Sequence, residues 1–185
     1  MQMFSLPFES VTSLEALAEE LEIYDFDLLL VGDGSGSVYD QPCGWVCAAY
    51  DRLKSEVTLH AAALSCGTNN FAELAPFVQA LWFHHQVHGK QQASAVEAAI
   101  ISDSEVTVRC GQREYSRNAN GCLWSAVEWF EEHGYRLSWR HVRRCSNAWN
   151  SWADQNAGYM RQIMESQRHA LLGGSACSSQ QSYGG

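Results

Sequence analysis

Residues 23–33 read Ile23-Tyr-Asp-Phe-Asp-Leu28-Leu-Leu-Val31-Gly-Asp33, and the order of the chain turns on this stretch. It begins by alternating polar and apolar residues and ends in a continuous aliphatic run, Leu28–Val31. Alternation marks a half-buried strand, and an unbroken apolar run marks a strand covered on both faces. An interior strand is therefore expected here, ending on the acid Asp33. Downstream, the turn-rich loop GSGSVYDQPCG (34–44) leads to WVCAAYD (45–51), a second strand. Arg52-Leu-Lys-Ser55 reads as a hairpin turn, and EVTLHAAALS (56–65) returns as a third, giving an antiparallel meander. Upstream, Thr12-Ser-Leu-Glu15 has the pattern of a capping box opening a short acidic helix, with Leu14, Leu17 and Leu21 on one stripe.

Beyond the meander, Phe71, Leu74, Phe77, Leu81 and Trp82 recur at helical spacing from about Asn70 to His85, with Pro76 predicting a late start or a kink. VEAAIIS (96–102) is a fourth strand, followed by a brief helix over about 104–110. Cys122–Glu132 reads as helix and YRLSWRHV (135–142) as a fifth strand. Ala148–Leu172 reads as a long final helix lined by Trp152, Ala153, Met160, Ile163 and Met164. The order implies an α/β fold, a mixed sheet with helices packed on it. Three regions follow: an acidic extension with a short helix at 1–24, a body at 25–172, and a Gly/Ser-rich, low-complexity tail at 173–185, expected to be disordered.

The 185 residues suffice for one domain with a full core. No apolar run approaches the ~20 residues of a membrane span. The first ten residues carry no base, which argues against a secretory or transit signal and makes the cytoplasm the expected location. The seven cysteines are odd in number and lack CxxC spacing, so they read as reduced, mostly core thiols. The net charge of −9 is concentrated at the front, where residues 1–30 hold seven acids and no base. That acidic helix offers a surface for a protein partner. Arg136, Arg140, Arg143 and Arg144 instead cluster within nine residues, either as a phosphate-contacting patch or as a charged strand edge. His84 and His88 form an i,i+4 pair, but with no acid or cysteine nearby in sequence they read as solvated helix-end histidines.

Four acids stand where folding alone gives little reason for one. Asp33 ends the most aliphatic strand, and Glu73 lies beside the apolar stripe of the first long helix. Asp103 ends the fourth strand, and Asp154 sits between Ala153 and Ala157. Singly they fit ordinary uses as turn residue, capping-box partner, helix cap and helix N-terminal acid. Together they suggest oxygen ligands for hard divalent cations.

Four short motifs carry a resemblance. Asp33-Gly34-Ser35 followed by Pro42-Cys-Gly44-Trp45 is similar to a DGS…PGGY opening. Thr68-Asn69-Asn70-Phe-Ala-Glu73-Leu74 is similar to TNNxxEL, Ser102-Asp103-Ser104 to TDS, and Asn150-Ser-Trp-Ala-Asp154 to NxxAD. In this order, over about residues 25–165, the chain resembles type 1 ribonuclease H. The resemblance implies a five-stranded sheet ordered 3-2-1-4-5 with the first three strands antiparallel. It implies that Asp33, Glu73, Asp103 and Asp154 hold two Mg²⁺ ions, with Mn²⁺ as a substitute. The activity implied is endonucleolytic hydrolysis of the RNA strand of RNA–DNA hybrids, leaving 5′-phosphate and 3′-hydroxyl ends. Gly34, Ser35, Thr68, Asn69, Asn70, Arg143, Arg144 and Asn150 would meet the nucleic acid.

The departures are informative. Where the family has a mobile histidine about ten residues before the last acid, this chain has Arg144. A cation there can act electrostatically but cannot transfer a proton. The stretch between Asp103 and Leu123 is too short for the family's basic insertion and holds only Arg109, Arg113 and Arg117. Modest, salt-sensitive hybrid affinity is expected. Alternatives are another nuclease of the same fold, a junction resolvase or exonuclease, or a non-catalytic module that binds nucleic acid or protein.

Overall fold

The computed structural model describes residues 10–37, 41–88 and 95–174. The tail expectation, apart from residues 173 and 174, and Cys177 lie outside them. β1 (Leu28–Ser35), β2 (Gln41–Asp51) and β3 (Glu56–Gly67) form the antiparallel meander. β4 (Val96–Ser102) and β5 (Tyr135–His141) join parallel to it, giving the order β3-β2-β1-β4-β5. The expected topology is the observed one.

Strand periodicity divides the core into two layers. Leu28 and Leu30 pack with Leu74, Phe77, Leu81, Val127 and Phe130. These come from α2 (Asn69–His88) and α4 (Gly121–Glu132), with Val108 from α3 (Glu105–Gly111). Leu29 and Val31 face the other way, against Trp149, Trp152, Ala153 and Ala157 of α5 (Ala148–Gly174). Helices therefore cover both faces of β1, which is why its aliphatic run is unbroken. Each such side chain contributes about 1.5–3 kcal/mol by leaving water.

The acidic front segment belongs to the second layer. α1 (Ser10–Glu20) buries Leu14, Leu17 and Ala18 in this layer and lies alongside β3. Trp149 Nε1 donates to Ser13 Oγ at 3.1 Å, and the Tyr50 hydroxyl donates to Glu15 at 2.6 Å. Its apolar stripe is thus occupied within the chain, which removes that stripe as a docking surface for a protein partner. The expected capping box also fails, because Thr12 lies within the helix instead of at its cap, and Glu15 is spent on Tyr50. α2 runs unbroken through the buried Pro76 and starts at Asn69.

Among the described residues no helix is long and apolar enough to cross a membrane. Of the cysteines, Cys43, Cys47 and Cys110 are buried, whereas Cys66, Cys122 and Cys145 are exposed. The mostly buried expectation holds for only half of these. β5 is an edge strand, and Arg136 pairs there with Glu97 at 2.7 Å. The arginine run therefore serves partly as a charged strand edge.

Candidate metal centre

The buried run of β1 delivers Asp33 to the carboxyl end of the sheet at only 3% exposure. One of its oxygens accepts the Gly34 N–H at 2.7 Å. An ionised carboxylate so enclosed is costly without a compensating cation. Burial first, then the charge of Asp103, push Asp33 up to about 7, against the pull of the Gly34 N–H and of Arg144. β4 runs parallel to β1 with Val31 level with Ile101. Asp33 and Asp103 therefore leave neighbouring strands at matching positions. Ser104, not Asp103, caps α3 by accepting the Thr107 N–H, so the Asp103 carboxylate faces the cleft.

Glu73 arrives from α2, and a glycine makes its approach possible. A Cβ on Gly34 would overlap the Ala72–Glu73 main chain. Only a residue without a side chain lets strand and helix touch here. Asn69 ties the corner: its Oδ1 accepts the Gly36 N–H at 3.1 Å, and its Nδ2 donates to Glu73 Oε1 at 2.9 Å. The other oxygen, Glu73 Oε2, is buried without a hydrogen-bond partner. Burial, then Asp33 and Asp103, push Glu73 up to about 8. One oxygen from each of Asp33, Glu73 and Asp103 lies within 4.8 Å of the others.

Asp154, in the second turn of α5, stands outside this three-oxygen group. Its carboxylate is held in a short ion pair by Arg144, while its charge still raises Asp33. Two asparagines place Arg144. Asn147 Oδ1 accepts the Asn150 N–H at 2.8 Å, which starts the helix, and Asn150 Oδ1 accepts the Cys145 N–H at 2.6 Å. Cys145 has φ 54°, a left-handed conformation that costs energy in a residue with a Cβ. Asn150, 1% exposed, thereby pins the turn beside Arg144 instead of facing a ligand.

Asp33, Glu73 and Asp103 line a cleft of about 290 Å³ with Ser35, Arg144 and Arg161, and Asp154 lies outside that lining. The remaining expected contacts divide. Thr68 Oγ1 accepts the Phe71 N–H at 3.2 Å, a helix-cap role. Asn69 positions Glu73. Asn70 is exposed and lines a neighbouring recess of about 160 Å³ with Arg117, Asn118 and Asn120. Arg143 is exposed and lies outside the cleft lining. Arg161 escaped the sequence reading, although it follows Asp154 by seven residues and so shares its helix face. Gly44 admits this part of α5, since a Cβ there would overlap the Met160–Arg161 main chain.

Solved structures share this arrangement of elements. The N-terminal RNase H domain of a Mycobacterium tuberculosis protein, solved as a fusion with maltose-binding protein, matches with a TM-score of 0.64. It is 19% identical, and the match covers 78% of this chain and 99% of that one. This is the ribonuclease H-like fold. A structure of LC11-RNase H1 in complex with RNA/DNA hybrid matches at TM-score 0.60 and 21% identity, over 74% of this chain and 97% of that one. RNase H1 from the archaeon Halobacterium salinarum matches at 0.56 and 17%, over 74% and 98%. No family model and no curated protein matches the sequence.

Within this ribonuclease H-like fold, Asp33 and Asp103 sit at the carboxyl ends of β1 and β4, where open α/β sheets place their ligands, and Glu73 meets them from α2. Arg109, Arg113 and Arg117 are all engaged by glutamates on α3, α4 and the loop between them. Among the described residues, little uncompensated positive charge remains on α3, α4 and the loop between them.

Proposed function

We propose that the chain is a divalent-metal-dependent endoribonuclease that cuts the RNA strand of RNA–DNA hybrids. The observation that carries this reading is the meeting of Asp33, Glu73 and Asp103, from β1, α2 and the end of β4, within 4.8 Å. The donor set is all oxygen, which suits Mg²⁺ or Mn²⁺ over softer ions. The unpartnered Glu73 Oε2 and the raised Asp33 and Glu73 fit the same conclusion, since these groups lack the positive charge that would hold them ionised. Asp33, Glu73 and Asp103 would hold the metal, and Asp154 would join them on leaving Arg144.

Divalent ions held by Asp33, Glu73 and Asp103 would supply water activation and stabilisation of the leaving 3′ oxygen in an in-line displacement. The chain's own residues prepare that chemistry. The Gly34 N–H and Asn69 fix one oxygen each of Asp33 and Glu73. Arg144 and Arg161 place positive charge at the cleft for the scissile phosphate, and Ser35 and Asn70 offer polar contacts along the strand. RNA is told from DNA by its 2′-hydroxyl. The hybrid-bound relative supports this substrate class. With Arg109, Arg113 and Arg117 already paired, few phosphate contacts are left, so affinity should be low and should depend only shallowly on salt, against the salt-sensitive binding expected from the sequence.

The test uses labelled RNA–DNA hybrid, duplex RNA and duplex DNA in Mg²⁺ or Mn²⁺, with Asp33→Asn alongside. Cutting of the hybrid alone, abolished by the substitution, is the expected result. Equal cutting of all three duplexes would assign the fold to another nuclease activity, and no cutting would overturn the proposal.

A further inference from the structure

The opposite end of the sheet gathers a second set of ligating side chains. Asp51 closes β2 level with Leu28 at the start of β1. That places it about 16 Å from Asp33 at the rise of a strand. His84 and His88 lie one turn apart near the end of α2, their ring centroids 4.9 Å apart. The acid that neither histidine has nearby in sequence is supplied by the neighbouring strand. His84 is buried, not solvated.

Both Nε2 atoms face one oxygen, Asp51 Oδ2, at 3.9 Å from His84 and 3.7 Å from His88. These gaps are too long for direct hydrogen bonds. They approach the ~3.3 Å between ligand atoms around a tetrahedral ion with bonds of about 2.0–2.1 Å. The other nitrogen of His84, Nδ1, lies 2.9 Å from the Tyr135 hydroxyl. That contact fixes the ring and presents Nε2 to Asp51, as the outer partners of metal-binding histidines do. The Lys54 ammonium lies 2.7 and 2.8 Å from the two ring nitrogens of His88, so a positive charge already stands at the mouth of the group. Lys54 is exposed and can swing away.

We infer that Asp51, His84 and His88 form a second cation site, taking a transition-metal ion of the Zn²⁺ type. The ion pins the end of α2 to the β2–β3 hairpin. Two imidazoles and one carboxylate favour such an ion over Mg²⁺, so the two ends of the molecule sort ions by donor chemistry. Three protein ligands leave one position for water.

The test titrates Zn²⁺ alone into metal-free protein by calorimetry, in the wild type and in an Asp33→Asn/Asp103→Asn variant that silences the carboxylate cleft. One ion per chain is expected in the variant, any further ion of the wild type being lost with the cleft carboxylates, with a rise in Tm and, on Co²⁺ substitution, visible absorption bands. His88→Ala and Asp51→Asn should each weaken binding at least about tenfold, and Lys54→Gln should tighten it. Circular dichroism checks that each variant is folded. Should one unfold, Zn²⁺-induced shifts of the His84 and His88 ring signals in the wild type decide instead. Binding that survives His88→Ala and Asp51→Asn, as it would on the exposed cysteines, overturns the inference. So does an absence of binding or of ring shifts.

Discussion

Replacing Asp33 by Asn removes a charge from the carboxylate cluster while keeping the shape and the acceptor for the Gly34 N–H. Asp33 ionises at about 7 in the folded chain, against an ordinary value of 3.8, chiefly because it is buried. Below about pH 4 the folded and unfolded chains both hold this proton, and it contributes no difference in stability. As pH rises further, the unfolded chain releases a proton that the folded chain retains, so stability falls until about pH 7 and is then level. Glu73 adds a similar decline ending at about pH 8. At about 1.4 kcal/mol per pH unit, holding Asp33 ionised at pH 8 costs on the order of 4 kcal/mol. Because Asp33, Glu73 and Asp103 share their charge, about 2 kcal/mol is the expected gain on substitution. For a chain of this length that is a rise in Tm of roughly 4–8 °C. The assay is thermal unfolding at pH 5 and pH 8, in EDTA and in Mg²⁺. Wild type should lose stability from pH 5 to pH 8 in EDTA and regain it with Mg²⁺ by mass action. Asp33→Asn should be the more stable in EDTA at pH 8 and gain far less from Mg²⁺. Equal or lower stability of the variant under those conditions would refute the reasoning.

Gly34→Ala should force β1 and α2 apart; a displacement of ~1 Å predicts a loss on the order of 100-fold in kcat/KM with the circular dichroism spectrum retained. Arg144→Ala breaks an exposed ion pair worth about 0–1 kcal/mol, so Tm should barely move. The same change removes a charge that lowers Asp33 and Glu73, and the acid limb of the pH–rate profile should shift to higher pH. Asn150→Ala leaves the Cys145 N–H unpaired and should cost about 1–3 kcal/mol, read as a lower Tm.

Much of this was legible in the sequence because the decisive signals are local. The alternating start and aliphatic end of residues 23–31 read as a strand covered on both faces, and Asp33, an ordinary turn residue when taken alone, stood out only beside the other three acids. Asp103 and Ser104 were harder to separate, since either can cap a helix; the structure assigns the cap to Ser104. What the sequence concealed depended on contacts across the fold. Asn69 reads as a nucleic-acid contact from its motif, but it spans Gly36 and Glu73 and so positions a carboxylate. Asn150 is likewise spent on the Cys145 amide. The pairing of Arg144 with Asp154 joins residues separated by a turn whose strained geometry no composition rule announces. Asp51 lies far along the chain from His84 and His88 and on a different element, so no spacing pattern could connect them.

Anomalous diffraction at the manganese edge from crystals grown in Mn²⁺ tests the central claim most directly. Peaks bounded by the carboxylate oxygens of Asp33, Glu73 and Asp103, with Asp154 turned away from Arg144 toward them, are the predicted result. An empty cluster at saturating Mn²⁺, with Asp154 still held by Arg144, would contradict it.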